Sequence, residues 1–466
     1  MSDDEAPDPA AIEAAQLAML LAPPSEADEI AHYASVLAPG APGHGDVTVK
    51  RVKHGKGLVA ARAFREGERV LVEPPLVGMQ HERNRADAIV CGGCFRFVGS
   101  IEHQIARRLL ESTSGGGGGG EENVELNASA LATARGMTRD GLKLPGSDAF
   151  PLPEIQACLT GCSREVYCGF ECALTSMQSH EMFLCVGGHC ADDGEIAEDR
   201  PDARAFVEHA RETNDIFILA AKALVKVAAD AGKLEGLSGD GESDALAAAW
   251  APFRVAHKPV WWDAVARPED VAVGDEETAF RESMREIATE SLRLLRASST
   301  FLRFVKAYPG LFHIDVYSRI IGMFETNNLE IAVASPVEDY FLAMDELPPE
   351  GPERAITDPL LDALDTKYCV PCEGTGFFAL QSCMNNDCDP NVTPLKDDGD
   401  VDGKCVLVAK RAIAAGEELT MCYVDEGMDV RARRAELMDY GFECGCARCE
   451  REAAGLGQAR RGSKMK

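Results

Sequence analysis

The chain of 466 residues is long enough for about two or three domains and a large buried core. Its 45% hydrophobic and 27% charged content excludes wholesale disorder, and 47 Lys+Arg against 77 Asp+Glu leave a net charge of −30. Such a chain is poorly suited to coat nucleic acid but attracts basic peptides.

No apolar run reaches the ~20 residues of a membrane span. The acidic start Met1-Ser-Asp-Asp-Glu5 is unlike a signal peptide, so a reducing, intracellular location is expected. There the 17 cysteines suit zinc better than disulfides.

Residues 1–45 carry eight acidic groups and no Lys or Arg, and read as a disordered leader with one short helix over 12–21. Order is expected from Asp46, where Val47, Val49, Leu58, Val59, Val70 and Val72 alternate with Gly55, Gly57 and Gly67 in the manner of short strands. A cysteine-rich zone spans 91–190, interrupted by six glycines at 115–120 that read as a flexible insertion. Phe206, Ala210, Phe217, Ala220, Leu224 and Val227 predict a helix over 203–230. Phe280, Met284, Ile287 and Leu294 predict another over 276–298, after a Gly/Asp/Ala-rich loop at 232–247. Strand-like runs return at 320–324, 403–413 and 418–424, and the chain closes on a basic, polar tail. This order predicts an α+β protein whose β domain is split by a zinc module and a helical insert.

The first cysteine series is Cys91-x2-Cys94, then Cys158-x3-Cys162-x5-Cys168-x3-Cys172-x7-His180-x4-Cys185. Short spacings let one turn bring two thiolates to one ion, and zinc accepts thiolate and imidazole without redox change. An interleaved scheme assigns Cys91, Cys94, Cys168 and Cys172 to one site. It assigns Cys158, Cys162, His180 and Cys185 to a second, with His189 and Cys190 close by in the sequence. Each closed site supplies on the order of 10 kcal/mol to folding. Cys444-x-Cys446-x2-Cys449 needs a fourth ligand, and Cys388 is the obvious donor, which makes about three structural zinc ions in all. Cys190, Cys369, Cys372, Cys383, Cys405 and Cys422 are read as ordinary thiols.

Four blocks then stand in order: His54-Gly-Lys-Gly-Leu58, the series 91–185, Asn385-Asn-Asp-Cys-Asp-Pro-Asn391 with Gly416-Glu-Glu-Leu-Thr-Met-Cys-Tyr423, and Tyr440-Gly-Phe-Glu-Cys-Gly-Cys-Ala-Arg-Cys449. Together they resemble the SMYD-type SET–MYND protein-lysine methyltransferases, most closely their plant trithorax-related branch, over roughly residues 46–450. The resemblance implies a SET-type β-clip core, closed by a cysteine-rich post-SET zinc segment. The divisions are 46–90 for the N-terminal part of the SET domain, 91–190 for a MYND-like module, 191–310 for the helical insert, 311–430 for the core, 431–450 for the post-SET segment and 451–466 for the tail. Seventeen residues follow Cys449, so the large helical C-terminal domain of many such proteins is expected to be absent and the substrate groove open.

By the same resemblance, His54, Gly55, Lys56 and Gly57 wrap S-adenosylmethionine in a turn whose glycines let backbone approach a ligand. Asn327 holds the cofactor's amino-acid end. Asn385 builds the crossing of two segments beneath it, and Asn386 stands where the family has His. Tyr423 is the catalytic candidate, Phe442 covers the cofactor, and Phe377, Phe378, Tyr423 and Phe442 wall the lysine channel. Methyl transfer needs a neutral amine, although free lysine has a pKa of about 10.4. An apolar channel and a nearby sulfonium both favour proton loss, and positioning supplies much of the remaining rate.

The expected activity is methylation of histone tails, histone H3 foremost, in the nucleus with the cytoplasm as a second location. A Pro-rich peptide is the partner implied for the MYND-like module, and neither nucleic acid nor membrane is an expected partner. The alternative is a non-catalytic adaptor, motivated by Asn386, Asp387 and the stretched module.

Overall fold

A computed structural model describes residues 8–112, 122–162, 164–187, 200–238, 242–268 and 270–463. The glycine run at 115–120, His189 and Cys190 lie outside them.

Over its described residues, from Asp8 on, the acidic leader is not a solvated tail. It forms two helices, α1 (Pro9–Leu21) and α2 (Glu26–Val36), and α2 begins with a Ser25–Asp28 capping box. Leu20 and Tyr33 are buried, Gln16 Nε2 donates to Ala307 O at 2.9 Å, and Trp250 Nε1 donates to Leu20 O at 3.0 Å. α1 holds a single acid, Glu13, and the acids of α2, Glu26, Asp28 and Glu29, gather in its first turn, so the acidic count of the segment says little about the residues these helices bury.

Twelve short strands follow among the described residues. They are β1 (Val47–Val52), β2 (Gly55–Ala60), β3 (Arg69–Glu73), β4 (Val77–Gln80), β5 (Gln156–Ala157), β6 (Val166–Tyr167), β7 (Asn328–Val333), β8 (Cys372–Phe377), β9 (Asn385–Asn386), β10 (Val392–Pro394), β11 (Cys405–Ala409) and β12 (Glu418–Met421). They make sheets ordered β1-β2-β12-β9, β10-β11-β3 and β4-β8-β7, with β5 and β6 paired in the cysteine-rich module. The expected strands at 47–72, 403–413 and 418–424 are therefore present. Their inward residues, among them Leu58, Val70, Leu407 and Leu419, form one core.

Residues 320–324 are not a strand but the middle of the helix Ile314–Asn327, buried throughout. Ile320, Ile321, Met323 and Phe324 read alone as a continuous apolar run; the helical period shows only over the longer window, where Asp315, Arg319 and Glu325 mark the polar face. Gly322 explains its depth, because a Cβ there would lie 2.1 Å from Pro259 O. The expected helix over 203–230 is two, Pro201–Glu212 and Ile216–Ser238, while the helix at 276–298 is present as Asp275–Ala297. Acidic residues at the first turn of the latter and Arg296 at the last suit its dipole.

The insertion between Cys94 and Cys158 is largely helical. α3 (Ile101–Ser112) and α4 (Glu122–Arg139) share a core with the helices Pro336–Asp345 and Pro352–Leu364, which join β7 to β8. Arg108, fully buried, ties the parts together. Its guanidinium donates to Asp87 O, Lys367 O, Tyr368 O, Val370 O and Ser335 Oγ. The closing tail is also helical over Ala447–Ser463. No helix among the described residues is long and apolar enough to cross a membrane.

Candidate active site

The site is built where two chain segments cross. β12 pairs antiparallel with β2 on one side and parallel with β9 on the other, with Thr420 opposite Asn385 and Met421 opposite Asn386. Asn385 Nδ2 donates to Lys56 O at 3.1 Å and to Glu418 Oε1 at 2.8 Å, so it holds the β1–β2 turn against the crossing. Asn391, to which sequence reasoning gave no role, locks the far side. Buried, it donates to Glu418 O at 2.8 Å and accepts Thr420 N at 2.9 Å. Its place in the Asp-Pro-Asn block was the available signal.

The hairpin β1–β2 turns at Lys53 and His54, with Gly55 in the left-handed region at φ +100° and His54 exposed at the tip. Gly57 has no room for a side chain: a Cβ would lie 2.6 Å from Val52 Cγ2. Asn327 ends its helix and donates to Met323 O at 2.9 Å and His257 O at 3.2 Å. Beside it, Asn328 Oδ1 is a buried acceptor with no partner among the described residues. Leaving such an atom unmet costs about 1–3 kcal/mol, so this spot suits a donor from a bound molecule.

Tyr423 follows β12. Its amide donates to Asn386 Oδ1 at 2.9 Å and its hydroxyl to Met384 O at 2.5 Å. Burial raises its pKa, which keeps the hydroxyl protonated. The ring centroid lies 5.1 Å from that of Tyr440 and 6.4 Å from that of Phe442, the latter at 81°. Gly441 at φ +81° turns the chain between those two aromatics. Tyr440 is a further aromatic that sequence reasoning quoted without assigning.

Phe377 and Phe378, expected along the channel, are core residues. Successive strand positions face opposite ways, so Phe377 packs among helices against Phe253 and Phe324, and Phe378 enters the β core.

The cysteines gather as the spacing predicts. Cys91, Cys94, Cys168 and Cys172 place their sulfurs within 4.8 Å of one another, and so do Cys388, Cys444, Cys446 and Cys449. Neighbouring sulfurs are 3.6 Å apart in the first group and 3.5–3.8 Å in the second. Four thiolates at about 2.3 Å from a tetrahedral zinc stand roughly 3.8 Å apart, so both groups fit that ion. Arg433, fully buried, approaches Cys449 Sγ at 3.7 Å, and Arg448 donates to Cys388 O at 2.7 Å. These cations offset the charge of a four-thiolate site.

Cys158, Cys162 and Cys185 form a third, buried group. His180 is not drawn into it. Its Nδ1 lies 2.9 Å from Ser179 Oγ, and burial, followed by the charge of Lys222, lowers its pKa. The turn Met177–Glu181 is wound as a π-helix, which rotates His180 off the face that an α-helix would present. Cys369 Sγ meets Thr366 O, and burial pushes the Cys372 thiol up to about 12, as befits ordinary thiols.

Comparisons with known proteins agree with this geometry. The SET domain family matches residues 265–424. The chain is 38% identical to "Histone-lysine N-methyltransferase ATXR2" of Arabidopsis thaliana, over 86% of this chain and 89% of that protein. It is 25% identical to "Protein-lysine N-trimethyltransferase SMYD5" of Homo sapiens, over 86% of this chain and 84% of that protein. A shorter stretch is 42% identical to human "Histone-lysine N-methyltransferase SMYD3", covering 16% of this chain and 17% of that protein.

Proposed function

The chain belongs to the SMYD-like SET-domain protein-lysine methyltransferases, in their plant trithorax-related branch, and from that premise we propose that it methylates lysines of histone tails, histone H3 foremost, as a nuclear regulator of chromatin. The observation that carries this reading is the position of Tyr423, fixed at both backbone and hydroxyl at the crossing and enclosed by Tyr440 and Phe442.

S-adenosylmethionine would supply an electrophilic methyl group. Lys56 and Gly57 of the turn, Asn327, Asn385 and Asn386 are the residues that would hold it, and Asn328 Oδ1 offers a free acceptor to its ammonium. Half-buried Phe442 and the more exposed Tyr440 stand against the Tyr423 ring, so a lysine entering beside them would be desolvated on that side, which favours its neutral form. The Tyr423 hydroxyl, protonated and anchored, orients the amine lone pair toward the methyl carbon. Phe442 takes its place from the post-SET zinc segment, so that metal supports the channel without touching the reaction. The charge of −30 favours a cationic tail as substrate.

Labelled S-adenosylmethionine offered with core histones and a total lysate tests the assignment. Label on histone H3 is the expected result. Label only on other proteins would remove the chromatin substrate while leaving the enzyme. No transfer to any protein would favour an adaptor, whose peptide partner the exposed Phe170 on the cysteine-rich module would be available to meet.

A further inference from the structure

The residues expected to be a disordered leader reach the proposed cofactor turn. Lys56 Nζ donates to the Tyr33 hydroxyl of α2 at 2.7 Å and to Val255 O at 2.7 Å. Its own carbonyl accepts from Asn385 Nδ2. Cys383 Sγ, two residues before Asn385, lies 3.3 Å from the same Tyr33 hydroxyl. One buried hydroxyl therefore touches both segments that build the site. Residues 255–258 complete the arrangement, because Val255 O holds Lys56 while His257 O holds Asn327.

α2 itself is fastened to the same parts. Arg51 of β1 donates to Glu29 at 2.6 Å, and Arg254, next to Val255, lies 3.3 Å from Asp28. α1 secures the other end: Gln16 bonds both Ala307 O and Gly310 N, and a Cβ on Gly310 would meet Leu17 N at 2.8 Å. The pair of helices is a strap across the helical core that ends on Lys56.

We propose that α1 and α2 are an integral part of the cofactor site, with Tyr33 a positioning residue that sets the Gly55-Lys56-Gly57 turn and the Asn385 segment at their working separation. The inference rests on the reading that this turn holds S-adenosylmethionine. Tyr33 touches no cofactor atom in this account; it acts through Lys56.

The test is calorimetric titration of the full chain with S-adenosylmethionine, using wild type, Tyr33→Phe, Lys56→Met and the double variant, with kcat measured alongside. Tyr33→Phe keeps the ring and removes one charge-assisted hydrogen bond, so affinity should fall about tenfold while kcat changes by less than about twofold. In the Lys56→Met background, Tyr33→Phe should change affinity by no more than about twofold, because only the weak contact of the hydroxyl with the Cys383 thiol is left to lose. Unchanged affinity in Tyr33→Phe, or an equal further loss in the double variant, overturns the proposal. A fall in kcat matching the loss of affinity does so too. Failure of wild type to bind removes the cofactor reading and the strap with it, whereas wild-type binding with an indifferent Tyr33→Phe removes the strap alone.

Discussion

Asn386 joins Tyr423 to the C-terminal cysteine group: its Oδ1 accepts the Tyr423 amide at 2.9 Å, and its Nδ2 lies 3.5 Å from Cys444 Sγ. The amide side chain offers an acceptor in one direction and a donor in the other, which a neutral imidazole at the family's usual histidine also supplies. The replacement therefore keeps a bridge between the crossing and the cysteine group of Cys388, Cys444, Cys446 and Cys449.

Asn386→Ala removes that bridge and leaves the Tyr423 amide without a partner. A hydrogen bond of about 1 kcal/mol predicts a fall in kcat of roughly fivefold, with zinc content unchanged. Steady-state kinetics with saturating cofactor checks this, and an unchanged kcat would show that Tyr423 is held without Asn386.

Cys444→Ser opens the site formed with Cys388, Cys446 and Cys449. Loss of one zinc per chain is expected by metal analysis, together with a strong fall in methyl transfer, because Tyr440 and Phe442 lose their anchor on Tyr423. Substrate-free spectra of the remaining fold should change little. Full activity without that zinc would contradict the proposed support of the channel.

Glu73, buried under the amides of Leu380 and Gln381, carries a pH dependence. Burial raises its carboxyl from 4.5 to about 7, against those two hydrogen bonds. Between these values the folded protein keeps a proton that the unfolded chain has released. Its contribution is thus fully present below about pH 4.5 and is lost as pH rises through about 7. The loss is on the order of 3 kcal/mol. Calorimetric melting at about pH 5 and about pH 8 should show a larger fall for wild type than for Glu73→Gln; equal falls would contradict the shift.

Much of the site was legible because its chemistry demands local spacing. Cys91-x2-Cys94 and Cys168-x3-Cys172 find each other as predicted, and so do Cys388 and the 444–449 triplet, since a tetrahedral ion leaves few alternatives. The hairpin glycines followed from backbone limits that only certain residues meet, and the strand of β12 from its short apolar run, while its register came only from the fold. What escaped depends on long-range burial. Ile320 and Phe324 lie on the buried side of a helix whose polar face, Asp315, Arg319 and Glu325, falls outside the short apolar run that reads as a strand. Tyr33 is a single aromatic in an acidic helix, and Leu20 one of several apolar residues in its own, so only the tertiary fold shows which of them face inward. Phe377 and Phe378 look like channel aromatics, yet each strand face already had a core to fill.

Arg108→Met strands the carbonyls of Asp87 and Val370 at the junction of α3 with the SET core, and leaves Lys367 O and Tyr368 O with one donor each, Val370 N and Ser335 Oγ. Each unmet buried acceptor costs about 1–3 kcal/mol, so a marked fall in melting temperature is expected. A variant melting like wild type would mean that water replaces the guanidinium there.

Tyr423→Phe tests the central claim most directly, by methyl transfer measured on the substrate that wild type labels, with zinc content and S-adenosylmethionine affinity taken on the same preparation. Misplacing the amine by removing one anchored hydroxyl predicts a loss of rate on the order of 10²-fold or more, with zinc retained and affinity changed only modestly. Transfer at the wild-type rate would contradict the assignment of Tyr423 as the catalytic residue.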